Sequence, residues 1–261
     1  MKGYKVLLDA SVLVAASIHY TSKDFGLKHR FYDKCKTLLN YFKNNVDKKI
    51  GFYTRSIDIT SNRVLSDAIL STIKEISQND SNIDEQRLLE IFSVIHSESL
   101  RRLEENKDYL VRETVNEDKI SKLMSKVLLF FRVDLKNEIE RRNPKLELER
   151  VKKIKATSWI MRTVRYTKID EAKRLFPHYG TLRRKFIDSP PGTEDMELLS
   201  QAIYFNELFS KQKIKFYLIS TDYHFVEINK NERINDFVPM FIKEKLRVNC
   251  LSPDKFLELV K

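Results

Sequence analysis

The sequence predicts an α/β fold: a parallel sheet flanked by helices, interrupted by an all-helical insertion. Three observations predict it. Short apolar runs, YKVLLD at 4–9, KKIGFY at 48–53 and KIKFYLIS at 213–220, read as buried strands. Helix-period segments separate them, and such alternation implies parallel strands covered on both faces. Between about 79 and 180 the strand signal stops and only helical patterns continue.

The elements follow in order. After YKVLLD, a helix starts within 11–18. FYDKCKTLLNYFKNNV places apolar residues at 31, 35, 38, 39 and 42, a helical stripe. After the second strand, a Thr or Ser of TRSIDITS (54–61) caps a helix over 62–76. The polar break QNDSNID (78–84) opens the insertion, whose helices are 85–105, 119–142 and 149–166. IDSPPGTED closes it with two prolines and a glycine, and a helix over 196–212 leads into KIKFYLIS. A short strand, a turn at Ser252–Pro253 and a last helix end the sequence. The expected units are 1–78 and 188–261, forming one α/β domain, and the basic helical insertion 79–187.

The net charge of +11 is segregated. Residues 141–187 hold fifteen cations and four acids, so this segment carries the whole excess. A local basic face is the electrostatic footprint of a polyanion. Arg150, Lys152, Lys153, Lys155, Arg162, Arg165, Arg183, Arg184 and Lys185 are its candidate nucleic-acid contacts, with Tyr166, Phe176 and Tyr179 interleaved as in proteins that stack single-stranded RNA. Trp159 reads as core, and His178 as a loop residue. Cys35 and Cys250 are too few for a disulfide framework or a zinc knuckle. No apolar run reaches membrane-spanning length, so a soluble, cytoplasmic protein is expected. GxGxxG and Walker A motifs are lacking, which argues against nucleotide cofactors.

The chemistry lies at strand ends. In an open parallel sheet, ligands bind beyond the carboxyl ends of the strands. Asp9 ends the first strand and Asp222 follows KIKFYLIS, while Asp195 opens a helix, where the N-terminus favours a carboxylate. Three such carboxylates repel one another unless a cation joins them, and oxygen-only ligands select Mg²⁺ or Mn²⁺ over Zn²⁺. Asp195 also fits a plain capping role. His224 reads as an exposed loop residue, with phosphate contact as its alternative.

These pieces resemble the PIN-domain nucleases. The matches are VLLDASVLVAAS with Asp9, Ala10 and Ser11; EDMELLSQAIYF with Asp195, Leu198 and Ala202; LISTDYHF with Ser220, Asp222 and Phe225; and RVNCLSPDKFLEL with Pro253, Phe256 and Leu257. They cover the α/β halves only. The resemblance implies a PIN-like sheet in Rossmann-like order and a divalent-metal-dependent endoribonuclease. It would hold Mg²⁺ or Mn²⁺ on Asp9, Asp195 and Asp222, with Ser11 and Ser220 in support, and leave a 5′-phosphate and a 3′-hydroxyl. The family has a further acid, commonly Glu, after the second strand. Here that region lacks Glu; Asp58 is the best substitute and Asp67 the runner-up, while Glu194 and Glu197 could supply the carboxylate instead. Two alternatives follow: a catalytically silent RNA-binding module, and a toxin-type PIN protein controlled by a protein partner. The insertion also offers a surface for a second copy of the chain.

Overall fold

A computed structural model describes residues 3–22, 26–77, 85–135, 137–138, 191–222, 224–226 and 237–261. In chain order these form β1 (Tyr4–Leu8), α1 (Ala10–Ser17), β2 (His19–Thr21), β3 (Gly26–Lys28), α2 (Tyr32–Lys43), β4 (Gly51–Thr54), α3 (Arg55–Ser77), α4 (Glu85–Lys107), β5 (Val111–Glu113) and α5 (Glu117–Leu129). A π-helical turn, Phe130–Leu135, extends α5. Then come α6 (Thr193–Lys211), β6 (Lys215–Ile219), α7 (Phe237–Leu246), β7 (Cys250–Leu251) and α8 (Pro253–Val260).

The main sheet has the order β5-β4-β1-β6-β7, and every pairing in it is parallel. From the central β1 the chain moves outward through β4 to β5, then crosses back to add β6 and β7 on the other side. The order is Rossmann-like, with its switch point between β1 and β6. Tyr4 to Leu8 pair in register with Lys215 to Ile219, so the two strands end side by side.

Both sheet faces are covered, as the apolar runs require. Phe216 and Tyr217 are neighbours on β6 and so point to opposite faces. Phe216 meets Phe52 of β4 and Phe209 of α6. Tyr217 meets Tyr4 of β1 and Phe256 of α8, where Tyr41 and Phe42 of α2 also pack. Helix α1 touches α2, α3 and α4 and is buried almost all round. Its Ala10, Ala15 and Ala16 let these neighbours approach closely, which explains why it has no polar face.

The expectation that 79–180 lacks strands is corrected. Val111–Glu113 forms β5, the sheet edge beside β4, while α4 packs on α1 and α3 and α5 packs on α6. Three residues with Arg112 and Glu113 among them carry no apolar signal; short, charged strands are usual at sheet edges. The antiparallel pair β2–β3 is likewise unmarked, and the sequence pattern offers no assignment for α7. Helix α3 begins at Arg55, directly after β4, because Thr54 Oγ1 receives the Ile57 N–H there. The expected unit boundaries at 78/79 and 187/188 lie outside the described residues.

Candidate metal centre

Asp9 is the last residue before α1. Its extended backbone (φ −71°, ψ 152°) and its carbonyl start the helix, but its carboxylate caps nothing. Instead Oδ2 accepts the hydroxyls of Ser11 and Ser220, each at 2.6 Å. A hydroxyl has one proton, and both are aimed by backbone donors behind them. The Thr221 N–H donates to Ser11 Oγ at 3.1 Å, and the Asp222 N–H donates to Ser220 Oγ at 2.9 Å. The Asp9 N–H donates to the Ile219 carbonyl at 2.9 Å. The exits of β1 and β6 are thereby laced together across the switch point. Asp9 is only 8% exposed. Burial pushes its carboxyl up to about 6; the two serine bonds oppose the rise, and the Asp222 and Asp195 charges add to it.

Asp195 lies in the first turn of α6. Its Oδ2 accepts the Gly192 N–H at 2.8 Å, so the expected capping is present. The same oxygen also faces His224 Nδ1 at 3.4 Å. Burial raises the Asp195 carboxyl, and Asp222 raises it further, against the opposing effect of His224 and the Gly192 N–H. Asp222 Oδ1 accepts the His224 N–H at 2.7 Å and stands 3.0 Å from His224 Nδ1. One donor atom from each of Asp195, Asp222 and His224 lies within 4.8 Å of the others, a group that could hold a metal ion.

His224 corrects one expectation: it is 6% exposed, no open loop residue. The group that could hold a metal ion thus offers a nitrogen beside its carboxylate oxygens. The signal of His224 in the sequence is the two-residue step from Asp222. An aspartate at a strand exit bonds the backbone N–H two residues on, and that bond pins the histidine beside the carboxylate.

A pocket of about 180 Å³ opens beside these carboxylates, lined by Asp9, Ser11, Asp195 and Asp222, with His224 behind them rather than in its lining. Glu194, Glu197, Ser56 and Thr60 also line it, so α3 forms its opposite wall. Glu197 accepts from Gln201 Nε2 at 3.0 Å, and Gln201 is itself held by Ser56 and Thr54. Glu194 pairs with Arg63 at 2.5 Å. Asp58 is directed elsewhere: it takes the Lys107 ammonium at 2.5 Å, has Arg112 at 3.8 Å, and is not among the pocket's lining. Asp67 is exposed on α3. The structure therefore brings Asp9, Ser11, Asp195, Glu197, Ser220 and Asp222 to one place and leaves Asp58 and Asp67 out.

The basic candidates Arg150, Lys152, Lys153, Lys155, Arg162, Arg165, Arg183, Arg184 and Lys185 lie outside the described residues, as do His178 and the aromatics interleaved with them. Among the described residues, no helix is long and apolar enough to cross a membrane. Comparison with protein-family models, curated proteins and solved structures finds no match to this chain.

Proposed function

We propose that the chain is a PIN-like, divalent-metal-dependent endoribonuclease. The observation that carries this reading is the convergence of Asp195, Asp222 and His224 beside Asp9, beyond the carboxyl ends of β1 and β6. The crevice at a switch point is where this topology binds ligands, and a carboxylate-rich pocket there repels an anionic substrate unless a cation joins it. The carboxylates fit Mg²⁺ or Mn²⁺, whose ligands are chiefly oxygen: one oxygen each of Asp195 and Asp222 lies within 4.8 Å of the other, close enough for one ion to touch both. Asp195 and Asp222 would hold the ion, with Asp9 as a further carboxylate. A bound divalent ion supplies Lewis acidity and a more acidic water for in-line attack on phosphorus.

The remaining work falls to the chain. Ser11 and Ser220 fix one oxygen of Asp9, leaving its other oxygen for the site. Gln201 holds Glu197 at the pocket wall, where a carboxylate is placed to accept a proton from water. The basic segment 141–187 would draw in the RNA backbone. The test is cleavage of labelled single-stranded RNA with Mn²⁺ or Mg²⁺. Asp9→Asn and Asp222→Asn are expected to lose at least about a hundredfold in rate, consistent with the several kcal/mol such an ion supplies. Full activity in Asp222→Asn overturns the reading.

A second reading is favoured by one observation. Asp58, the best substitute for the missing acid, is engaged with Lys107 and Arg112. That suits a silent RNA-binding module, which would bind RNA in a salt-sensitive way and cleave it with neither metal. Glu194 and Glu197 at the pocket favour the nuclease.

A further inference from the structure

We propose that His224 is itself a metal ligand through Nδ1, and that the centre therefore takes a nitrogen-accepting transition ion, Mn²⁺ among the common candidates, in preference to Mg²⁺. The inference rests on the metal-dependent reading above and adds to it the donor set and the class of ion.

Three features carry it. Nδ1 stands 3.0 Å from Asp222 Oδ1 and 3.4 Å from Asp195 Oδ2, and all three donors lie within 4.8 Å of one another, close enough for one ion to reach. The ring is enclosed, at 6% exposure, with Phe225 at its edge, which keeps it from swinging out to solvent. Its backbone N–H is bound by the same Asp222 carboxylate, so ligand and ring are placed by one turn. Two carboxylates with a neutral imidazole carry a charge of −2, and Asp9 beside them adds a third negative charge that also calls for a cation. Imidazole suits the first-row transition ions, the later ones most and Mn²⁺ least, whereas Mg²⁺ favours oxygen and keeps its waters. A histidine kept only to pair with the two aspartates makes no such distinction between ions.

The test uses the full chain, stripped of metal and titrated separately with Mn²⁺ and Mg²⁺ by calorimetry, with pulsed EPR of the Mn²⁺ form. Wild-type protein is expected to bind Mn²⁺ at least about tenfold more tightly than Mg²⁺ and to show ¹⁴N coupling to the ion. In His224→Ala the coupling disappears, and Mn²⁺ affinity falls by at least about tenfold, since losing a direct ligand costs no less than losing an outer hydrogen-bond partner. Mg²⁺ affinity changes far less. His224→Gln retains the bulk of the ring and guards against a folding defect, with thermal melts as the check. It is expected to bind both ions without ¹⁴N coupling and with a narrowed preference. Mn²⁺ binding without nitrogen coupling in wild type, or an unchanged Mn²⁺/Mg²⁺ ratio in both variants, overturns the role of His224 and leaves a metal site of carboxylates. If wild-type protein binds neither ion, or Asp222→Asn binds Mn²⁺ as wild type does, the metal-dependent reading itself falls.

Discussion

At the scale of single residues, the site opposes the fold. Asp9 is held at about 6 rather than 3.8, chiefly by burial. Below the lower value both folded and unfolded chains carry the proton. As pH rises toward 6 the unfolded chain releases it first, so stability is lost across that window. A shift of this size corresponds to about 3 kcal/mol, and Asp195 is displaced in the same direction. Metal-free Asp9→Asn is therefore expected to be more stable than wild type at pH 7–8 by on the order of 2 kcal/mol, because its amide still accepts the Ser11 and Ser220 hydroxyls. Its stability should also fall less between pH 4 and 6. Denaturant melts across pH measure both effects, and equal stability at pH 7–8 sinks the account. Added Mn²⁺ should narrow the gap, since an ion bound only by the folded state stabilises it. Asp58 behaves in the opposite way. Lys107 is 5% exposed on its side chain and is bound by Asp58 and Glu104. Asp58→Asn leaves that ammonium short of a charge, with an expected cost of about 1–3 kcal/mol, less than for a fully buried pair because Asp58 is partly exposed. Mn²⁺ affinity should be unchanged; a loss of affinity would place Asp58 in the centre after all.

At the scale of elements, apolar runs were readable where an element is buried on both sides and unreadable where it is an edge. Val6, Leu7 and Leu8 of β1 and Phe216 to Ile219 of β6 announce themselves because both faces are covered. β5 and the β2–β3 pair are three-residue strands whose polar and charged residues satisfy a sheet edge, so composition points away from them. The end of α6 is a further case of geometry without a sequence mark. The Ile214 N–H reaches back to the Phe209 carbonyl at 3.0 Å, and Lys213 takes a left-handed φ of 59°. Glycine is usual at that position, because a side chain there is strained. Lys213→Gly is expected to raise stability by about 0.5–1 kcal/mol without moving β6. A fall in Tm would show that the Lys213 side chain contributes more than its backbone costs. Gly51 is the reverse. A Cβ there would meet Leu110 at 2.7 Å and the Phe42 ring at 3.0 Å, at the point where β4 starts against α2. Gly51→Ala is expected to cost about 1–3 kcal/mol by overpacking, read from the denaturant midpoint.

At the scale of the whole molecule, two separations define the protein: acids gathered at the switch point, and cations gathered in one stretch of sequence. The first was legible for Asp9, Asp195 and Asp222, because each stands at an element boundary. It was not legible for His224, whose place depends on a side chain-to-backbone bond, nor for Asp58, whose partner Lys107 is 49 residues away in the chain. The second separation makes a prediction that is independent of the metal. The net charge of +11 lies entirely in 141–187. If this segment neutralises RNA phosphates, the logarithm of affinity falls linearly with the logarithm of salt, by about 0.7 per phosphate on a single strand. Changing Arg183, Arg184 and Lys185 to Gln should therefore flatten that slope by up to about 2 and weaken binding similarly for all RNA sequences. Mn²⁺ affinity should stay at its wild-type value if, as proposed, these cations meet the polyanion and the carboxylate centre meets one phosphodiester. An unchanged salt slope in the triple variant would move the RNA contact to another surface. A slope that flattens together with a loss of Mn²⁺ binding would mean that the basic segment and the centre are one coupled unit rather than two.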